Sequence, residues 1–481
     1  MKEEKFRCHP SIIVEKTGGV IAVLFFLDRI KEMVGEWLGG KSLLIVGFLT
    51  FILIYNIIIW FKTLISIEGN AIVIQRNTIN SKVNTFGIKN ISSINLEQNV
   101  FERIMGTYKI KIDTDSLSTA DSTDIEIVLS KQQAYDFKNK VISIMNSEKL
   151  KNDTSSKQVE NTVYFDEDNI GYDIVYSVSD VLKHCFCNIS LLGLILNLAL
   201  IGFIVFAFMN LGSEEDFIAV WALAISSLIS ILSLVVGDLF KYYNFSIKRQ
   251  EDKLYMSYGL FRVKKFTVPI NKINALNIKQ SAISRIFKRY HSDIVTVGVG
   301  DNDTEGSQIL LASKKEDFIR NMKILLPELN LEESLKLERE SKNHYIIKIV
   351  NVVIGMTICS LILYSIYIIN ATVPSIIYLL VDLFIFLILI LFYYMSYRTR
   401  GLYMGDDNMT VSWGILTRKI SVIKYEKIQY VNVRETPISS RLGLCSGKIY
   451  ILASLGNTRR TLGYYNNNLF EKLKGKILNR Y

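Results

Sequence analysis

Long apolar blocks alternate with strongly polar stretches along the chain. Five of the blocks each approach the ~20 residues that a helix needs to cross the hydrocarbon core of a bilayer. We predict membrane-spanning helices at 43–61, 187–209, 217–237, 345–369 and 374–395. A sixth block, 11–27, is interrupted by Glu15 and Lys16. Because the other blocks occur in pairs, we predict that 11–27 also spans, which gives three helical hairpins.

Lysine and arginine are concentrated on one side of these predicted hairpins. Connector 210–216 has no basic residue, connector 370–373 has no charged residue, and connector 28–42 is charge-balanced. The segments between the pairs carry the basic residues that flank the membrane, namely Lys183, Lys241, Lys248, Arg249, Lys342, Lys348, Arg398 and Arg400. The positive-inside rule therefore predicts that both termini and all three polar segments are cytoplasmic.

One segment of the polar regions occurs three times, at 89–105, 271–287 and 426–442. The first two copies align without a gap, and the third needs a one-residue slip before its arginine. The shared polar residues are Asn95, Asn277 and Asn432, followed by Arg103, Arg285 and Arg441. Such repetition indicates one unit, a membrane hairpin plus a small domain, used three times. We interpret the shared residues as mainly structural.

Each polar segment has the pattern of a small β domain. Short runs of β-branched and aromatic residues are separated by turn signals such as Glu68–Gly69–Asn70 and Gly405–Asp406–Asp407. An amphipathic helix is predicted at the end of each segment, with Ser130, Ser313 and Asn466–Asn468 as candidate N-caps. The fold class is therefore membrane α-helical hairpins plus all-β domains, each a β-sandwich or barrel with a C-terminal helix.

Three further features are present. Two of them, the glycine–hydrophobic turns Gly259–Leu260 and Gly414–Ile415 and the pairs Lys272–Ile273 and Lys427–Ile428, occur in two units, and the third, the run RLGL at 441–444, occurs once and leads into a strand. With these features and the start CHP at 8–10, nearly the whole chain resembles the bacterial pleckstrin-homology-like (PH-like) integral membrane proteins of the YdbS/YdbT type. The first unit departs from the pattern, with Asn90–Ile91 in place of the Lys–Ile pair. The resemblance implies PH-like β domains and location in a bacterial cell membrane.

The hairpins and the PH-like domains together define the predicted organisation. The predicted boundaries are 1–62 (transmembrane pair 1), 63–146 (PH-like domain 1), 147–186 (linker), 187–240 (transmembrane pair 2), 241–327 (PH-like domain 2), 328–344 (linker), 345–396 (transmembrane pair 3) and 397–481 (PH-like domain 3).

Charge distinguishes the three PH-like domains. Residues 63–180 hold 12 basic and 17 acidic residues, a balance of −5, whereas 241–290 hold 12 and 2, and 398–481 hold 15 and 5, a balance of +10 each. Near an anionic leaflet an exposed Lys or Arg contributes up to about 1 kcal/mol of attraction. We predict lipid or ligand binding at Lys264, Lys265, Lys272, Lys279, Lys288, Arg289, Arg418, Lys419, Lys424 and Lys427. Membrane topology alone also accounts for basic residues there, and no nucleic-acid recognition motif is present.

Asp382 is an acid inside a predicted span and is therefore a functional candidate. Its alternative role is a hydrogen bond to a serine or asparagine of a neighbouring helix. Asn188, Asn197 and Asn351 are candidates for helix–helix contacts. A transporter usually has several intramembrane charges and helices broken by glycine or proline. That pattern is missing here, so the second hypothesis is a transporter, or a subunit of a membrane transport or enzyme complex in which Asp382 has a role.

The sequence carries no motif for catalysis, cofactor binding or metal binding. His184, Cys185 and Cys187 lie within four residues and lack the loop spacing of a zinc site. No phosphate-binding glycine loop or nucleophile elbow is present. We predict a non-catalytic scaffold or adaptor without cofactors. Its expected partners are anionic lipids of the inner leaflet and another membrane protein, with a paralogous PH-like protein as one option.

Overall fold

The apolar blocks form long helices in the computed structural model. The structure describes residues 5–19, 42–78, 80–114, 125–152, 171–209, 214–296, 308–369, 374–453 and 456–478. The chain divides into two compact units. The first unit comprises Met1–Asp173 and Lys253–Pro269, and the second unit comprises Ile174–Asp252 and Ile270–Tyr481.

Helices occur in both the membrane hairpins and the β domains. Residues 11–19 are helical. Within the described residues, the further helices are α1 (Ser42–Lys62), α2 (Val100–Met105), α3 (Lys131–Asn152), α4 (Val178–Asn188), α5 (Leu191–Met209), α6 (Glu214–Lys241), α7 (Ala282–Ile286), α8 (Lys315–Leu325), α9 (Leu331–Ser334), α10 (His344–Ile369), α11 (Ser375–Thr399), α12 (Pro437–Arg441) and α13 (Asn467–Leu478). In the described part of the chain, the segments long and apolar enough to cross a membrane alone are Val220–Lys241, His344–Ile368 and Ile376–Thr399.

The helices agree with most of the predicted spans and correct one of them. Helix α1 covers the predicted span 43–61, and its segment Thr50–Lys62 is a shorter apolar helix. The predicted start of the second pair at Cys187 is wrong, because Cys187 belongs to the amphipathic α4, which bends by 73° from the helix that follows. For the predicted span 11–27, residues 20–27 lie outside the described residues.

The connectors predicted within the membrane pairs fall largely in parts of the chain that the structure does not describe. Residues 28–41 of connector 28–42, the first half of connector 210–216, and all of connector 370–373 belong to these parts.

The polar segments form antiparallel strands throughout. The strands are β1 (Thr63–Glu68), β2 (Ala71–Arg76), β3 (Lys82–Gly87), β4 (Ile91–Gln98), β5 (Thr107–Thr114), β6 (Ile125–Ser130), β7 (Ile174–Val175), β8 (Ser246–Gln250), β9 (Lys253–Tyr258), β10 (Val263–Pro269), β11 (Ile273–Gln280), β12 (Arg289–Thr296), β13 (Gln308–Lys314), β14 (Gly401–Met404), β15 (Asn408–Trp413), β16 (Arg418–Lys424), β17 (Ile428–Arg434), β18 (Leu444–Ala453) and β19 (Gly456–Asn466). Alternating buried and half-buried residues, as in β18, match a sheet with one face on a core.

In the first unit, two sheets enclose one apolar core. Strands β1, β2 and β3 form one sheet, and the other has the order β6–β5–β4–β10–β9. The core includes Ile65 and Ile72 from the first sheet, Leu96 and Ile110 from the second, and Phe137 from α3. Because α3 contributes to this core, the predicted closing helix is part of the domain.

In the second unit, the sheets are β13–β12–β11–β16–β15–β14 and β17–β18–β19. Its largest described core combines Ala275 and Val295 of the second repeat with residues of the third, including Val411, Ile449 and Phe470. The second and third repeats are therefore not separate globules.

Strands from successive repeats pair directly. Strand β10 of the second repeat pairs with β4 of the first, and β16 of the third repeat pairs with β11 of the second. We call the β4–β10 ladder junction 1 and the β11–β16 ladder junction 2. Each sheet that contains a junction thus joins the last three strands of one repeat to early strands of the next, an arrangement that the repeat pattern alone did not predict.

Both junctions use the same register. Lys264 and Lys419 occupy the same repeat position, counted from the 3-10 turn that follows each strand, and Glu97 and Lys279 are likewise equivalent. Lys264 lies opposite Glu97 in junction 1, and Lys419 lies opposite Lys279 in junction 2. One pairing geometry is thus used twice in the chain.

The recurring glycine–hydrophobic turns precede the junction strands and require glycine. Gly259 and Gly414 have φ of 116° and 122°. A Cβ at Gly259 would lie 2.0 Å from the Arg262 carbonyl oxygen, and one at Gly414 would lie 1.9 Å from the Thr417 carbonyl oxygen. Any larger residue would therefore strain the turn and collide with the backbone.

The predicted local signals have mixed outcomes. Gly69 has φ of 59° in the β1–β2 turn, as the turn prediction requires. The predicted N-cap Ser313 is wrong, because α8 is preceded by Lys314 and the Ser313 hydroxyl donates to the Leu311 carbonyl. At the start of α13, the Asn466 side chain accepts a hydrogen bond from the backbone of Asn468.

Candidate functional site at the membrane surface

The second repeat has a well-defined point at which the chain enters the membrane. Helix α4 ends at Asn188, and the apolar α5 begins at Leu191 after the bend. The Asn188 amide donates to the carboxylate of Asp238, 2.7 Å away near the end of α6. This contact places the first residues of α5 and the last turn of α6 at the same level of the bilayer.

The short helix α7 is attached to this point. Ser281 and Ser284 both donate their hydroxyls to the Cys187 carbonyl, Ser284 at 3.1 Å. Beyond them, the Phe287 ring lies edge-on to Phe186 with centroids 6.1 Å apart. Because Phe186 lies shortly before α5 in the chain, the end of α7 lies close to the start of that apolar helix.

Large apolar side chains and basic side chains are exposed together at this level. Ile286 is 75% exposed and Phe287 is 56% exposed. Lys288 and Lys241 are also exposed, and Lys241 is the last residue of α6. We call Phe186, Ile286, Phe287, Lys241 and Lys288 the interfacial patch. Its chemistry, apolar residues beside cations, suits the boundary between acyl chains and anionic headgroups.

Two histidines are buried in the same repeat. The ring centroids of His184 and His291 are 5.3 Å apart, and His184 Nδ1 accepts the Ala312 backbone N–H at 3.2 Å. Burial lowers the pKa of His184 to about 3, and the charge of Lys241 adds to this effect. Burial also lowers the pKa of His291 well below its usual value, with additions from His184 and Lys279. Both rings are therefore neutral in the folded protein.

We expect these histidines to make the second unit less stable in mild acid. The folded-state pKa values lie below the unfolded value, so only the unfolded chain takes up protons as the pH falls below about 6.5. Between pH 7 and pH 5 each histidine should lower the free energy of unfolding by about 2 kcal/mol. Thermal unfolding of the full chain in detergent at several pH values measures this effect. His291→Gln should reduce the slope, and an unchanged slope would contradict the assignment.

The ten basic residues predicted to bind lipid or ligand do not form one exposed surface. Nine of them are partly buried, and Lys288 is exposed. Lys264 and Lys265 belong to the first unit, and the other eight belong to the second. Lys264 lies 4.0 Å from Glu97, and Lys265 donates to the Tyr135 hydroxyl at 2.8 Å.

In the second unit, the basic residues with defined contacts hold strands and turns together. These contacts are Lys279 to Asp293 (3.2 Å), Arg289 to the Ala312 carbonyl (2.9 Å), Arg418 to the Ser412 hydroxyl (3.1 Å) and Lys427 to the Asn271 carbonyl (2.8 Å). Lys272, Lys419 and Lys424 are half-buried. Of the ten predicted residues, Lys288 is the one that the geometry places in the interfacial patch.

The repeated asparagine lies at the junctions. The Ser421 hydroxyl of β16 donates to Asn277 Oδ1 at 2.9 Å, and Asn277 Nδ2 donates to Asp293 at 3.2 Å. Asn277 therefore bonds strands of two repeats to each other. Asn95 occupies the same position in junction 1 and is equally buried, whereas Asn432 in β17 is exposed.

The repeated arginine contacts the glycine–hydrophobic turn of the following repeat. Arg103 donates to the Leu260 carbonyl at 3.0 Å, and Arg285 donates to the Ile415 carbonyl at 3.2 Å. Arg441 is exposed, and the described residues include no equivalent acceptor for it. Arg103 and Arg285 thus each join their own repeat to the next one.

The polar residues of the membrane helices contact one another. The Ser360 hydroxyl lies 3.0 and 3.1 Å from the two carboxylate oxygens of Asp382, across the α10–α11 pair. Asn188 bonds to a neighbouring helix through Asp238. The prediction for Asn197 is wrong, because its amide donates to the backbone of its own helix one turn earlier.

Two of the buried acids that sequence reasoning missed pair with residues distant in the chain. Glu97 is 2% exposed in junction 1, and its carboxylate lies 2.5 Å from Arg262 and 3.3 Å from Lys111. Arg262 comes from the second repeat, so this ion pair crosses the junction. The paired charges stand far apart in sequence, and no local pattern connects them.

The second missed acid is Glu340, at the foot of the third hairpin. Its carboxylate lies 3.0 Å from Arg400 and 3.2 Å from His344, and it accepts the Tyr464 backbone N–H at 3.1 Å. A Cβ on Gly463 would lie 1.8 Å from this carboxylate, so glycine leaves space for it. The cluster ties the ends of α10 and α11 to β19.

The described residues contain no group of three or more His, Cys, Asp or Glu side chains that could hold a metal ion. All five cysteines are free thiols. Burial raises the pKa of the Cys185 thiol to about 11, with a contribution from Asp238. A thiol of that pKa is a poor nucleophile at neutral pH.

Comparison with known proteins assigns the repeats. The bacterial PH domain (bPH_2) family model matches residues 20–145, 193–323 and 346–481, which together make up most of the chain. The chain belongs to the bacterial PH domain family. This bacterial PH repeat protein is also 21% identical over 478 residues to the UPF0699 transmembrane protein YdbT of Bacillus subtilis (strain 168). That match covers 93% of this chain and 90% of YdbT. No solved structure matches the bacterial PH repeat protein.

The comparisons confirm the family and the fold class expected from the sequence, a membrane protein with three bacterial PH repeats. Neither the family model nor the relative indicates an enzyme family. Three members of the recurring motif, Asn277, Arg103 and Arg285, bond one bacterial PH repeat to the next.

Proposed function

We propose that the protein is a non-catalytic membrane scaffold whose second repeat rests on the anionic cytoplasmic surface of the bilayer through the interfacial patch. The observation that carries this proposal is the attachment of α7 to the point where the chain enters the membrane. The attachment holds two exposed apolar side chains and two exposed cations at headgroup level. The cytoplasmic orientation rests on the positive-inside distribution of lysine and arginine.

The apolar and basic residues of the patch contribute in different ways. Full burial of a Phe or Ile side chain stabilises by roughly 1.5–3 kcal/mol. A cation near an anionic leaflet contributes up to about 1 kcal/mol and loses most of it at high salt. The patch therefore combines a salt-insensitive attachment with a preference for anionic lipid.

The preference for anionic lipid can be measured on the full chain. We expect the protein, extracted from vesicles of mixed neutral and anionic lipid, to retain more anionic lipid in native mass spectrometry. The double variant Lys241→Gln with Lys288→Gln should lower that preference, by up to about fivefold for each charge removed.

A matched control removes two charges outside the patch. Lys315→Gln with Lys323→Gln changes two exposed lysines on α8 of the same unit. The control should retain the lipid preference of the unmodified protein. An unchanged preference in the patch variant, or an equal loss in the control, would refute lipid binding by the patch.

Transport is the alternative function and rests on Asp382. Its carboxylate is hydrogen-bonded to Ser360 of the neighbouring helix, as expected for an acid that stabilises a helix pair. The geometry of the described residues therefore supports the scaffold over the transporter.

A further inference from the structure

Two sheet edges lack the strand that their equivalents have. Strand β4 pairs with β10, and β11 pairs with β16, but no strand of the described residues pairs with the corresponding edge of β17. Likewise, β10 and β16 each pair with the preceding repeat, but no described strand occupies the corresponding edge of β3. Within the described residues, one edge of each kind that forms a junction is therefore open.

Side-chain exposure shows that these edges are uncovered. Val433 in β17 is 47% exposed, whereas its counterparts Leu96 and Ile278 are fully buried. Val83 in β3 is 57% exposed. An unpaired edge with exposed apolar residues is a template for pairing with another strand.

We propose that β17 of one copy of the chain pairs with β3 of a second copy and forms an intermolecular third junction. The register follows from the two internal junctions. It sets Val433 opposite Val83 and Asn432 opposite Asn84 of the second copy, where junction 2 sets Ile278 opposite Ile420 and Asn277 opposite Ser421. Backbone hydrogen bonds along the added strand supply affinity, as in other strand-addition complexes.

The repeated arginine supports the same arrangement. Arg103 and Arg285 each donate to the carbonyl of a turn residue four positions before the partner strand's junction lysine. Arg441 has no such acceptor within the described chain. In the proposed junction, Arg441 lies beside Thr78 of the second copy, which occupies the position of Leu260 in the first repeat. The proposed junction thus gives Arg441 a neighbour equivalent to the one that Arg103 has in the first junction.

Net charge favours the pairing of the third repeat of one copy with the first repeat of another copy. The third repeat carries a balance of +10, and residues 63–180 of the first carry −5, so the two regions attract at long range. One local pair opposes this attraction, because the register sets Arg434 opposite Lys82. Junction 2 tolerates the same arrangement, with Lys279 opposite Lys419. We therefore expect the third junction to form despite the unfavourable pair of Arg434 and Lys82.

The proposed contact is heterologous, because the two copies contribute different strand edges to it. Each copy offers β17 at one edge and β3 at another, so assembly joins copies head to tail. The membrane spans confine the copies to one bilayer, which raises their effective concentration. The inference uses different residues from the interfacial patch and does not depend on lipid binding.

Cysteine crosslinking in native membranes tests the proposal. One full-length copy carries Asn432→Cys, and a differently tagged copy carries Asn84→Cys. Mild oxidation should produce a disulfide-linked dimer that contains both tags. Each variant alone, and the unmodified chain with its five free cysteines, should give none of this product.

A one-residue slip provides the matched control. Val433→Cys paired with Asn84→Cys should lose the product, because successive residues of a strand point to opposite faces. An equal yield from the slipped pair would overturn the proposed register. Absence of product from both pairs, with a monomer in native mass spectrometry, would overturn self-association. A product with a different membrane protein instead would mean that the β17 edge binds that protein.

The unfavourable pair supplies an independent measurement. Arg434→Glu should increase the dimer fraction of the full chain several-fold, and Lys82→Glu should do the same, since either places opposite charges across the junction. The two changes together should cancel, because they again set like charges opposite each other. An increase that persists in the double variant would contradict the pairing of Arg434 with Lys82.

Discussion

Glu340→Ala is expected to lower the free energy of unfolding of the second unit by about 3 kcal/mol. The Glu340 side chain is fully buried, and its loss removes the partner of Arg400, the neighbour of His344 and the acceptor for the Tyr464 N–H. We place the effect at the low end for a broken buried ion pair because the Arg400 side chain keeps 24% exposure. The apparent Tm of the full chain in mild detergent should fall by roughly 10 °C.

Glu338→Ala is the matched control for this prediction. Glu338 lies two residues earlier, carries the same charge and is exposed. Its replacement should leave the Tm nearly unchanged, since exposed charges contribute little. Gly463→Ala should reproduce part of the Glu340→Ala effect, because its methyl group occupies the space of the carboxylate. Equal effects of Glu340→Ala and Glu338→Ala would refute the buried ion pair.

Glu97→Lys is expected to destabilise the first unit by at least about 3 kcal/mol, because it buries a fourth cation among three others. Lys111, Lys264 and Arg262 surround Glu97 within 4.0 Å, and the Lys111 and Lys264 side chains are only 10% and 13% exposed. Protease resistance of the first unit and the apparent Tm of the full chain measure the loss.

The second repeat suggests how to rescue this variant. Lys279 and Asp293 occupy the positions of Glu97 and Lys111, with the charges exchanged. Glu97→Lys combined with Lys111→Asp copies that arrangement and should recover much of the lost stability. Lys111→Asp alone sets an acid beside Glu97 and should not stabilise the protein. If the double variant were no more stable than Glu97→Lys, the equivalence of the two junctions would be wrong.

The elements that were predictable from the sequence depend on local pattern. Apolar blocks of the right length identified α6, α10 and α11, because crossing a bilayer requires a long uninterrupted run. Turn glycines such as Gly69 were also visible, since positive φ strongly favours glycine. The recurrence of the asparagine and arginine motif was visible, and a structural role was predicted for it.

The partners of those motif residues were not predictable, because they come from another repeat. Asn277 bonds Ser421, which lies 144 residues away, and the sequence gives no signal for such a pair. Glu97 and Glu340 were not identified from the sequence for the same reason, since their partners are distant in the chain. The start of α5 was misplaced because α4 is apolar on one face, and that face is buried against β strands rather than lipid.

The shared sheets have a consequence for any attempt to excise a module. A fragment cut at the boundaries of the sequence repeat, such as 241–327, loses the partner strands of both junctions. The edges of β10 and β11 are then unpaired and exposed to water. The sheets cross the boundaries between repeats, although the first repeat also packs its own two sheets around one core. Fusions, swaps and truncations should therefore keep both strands of each junction in the same fragment.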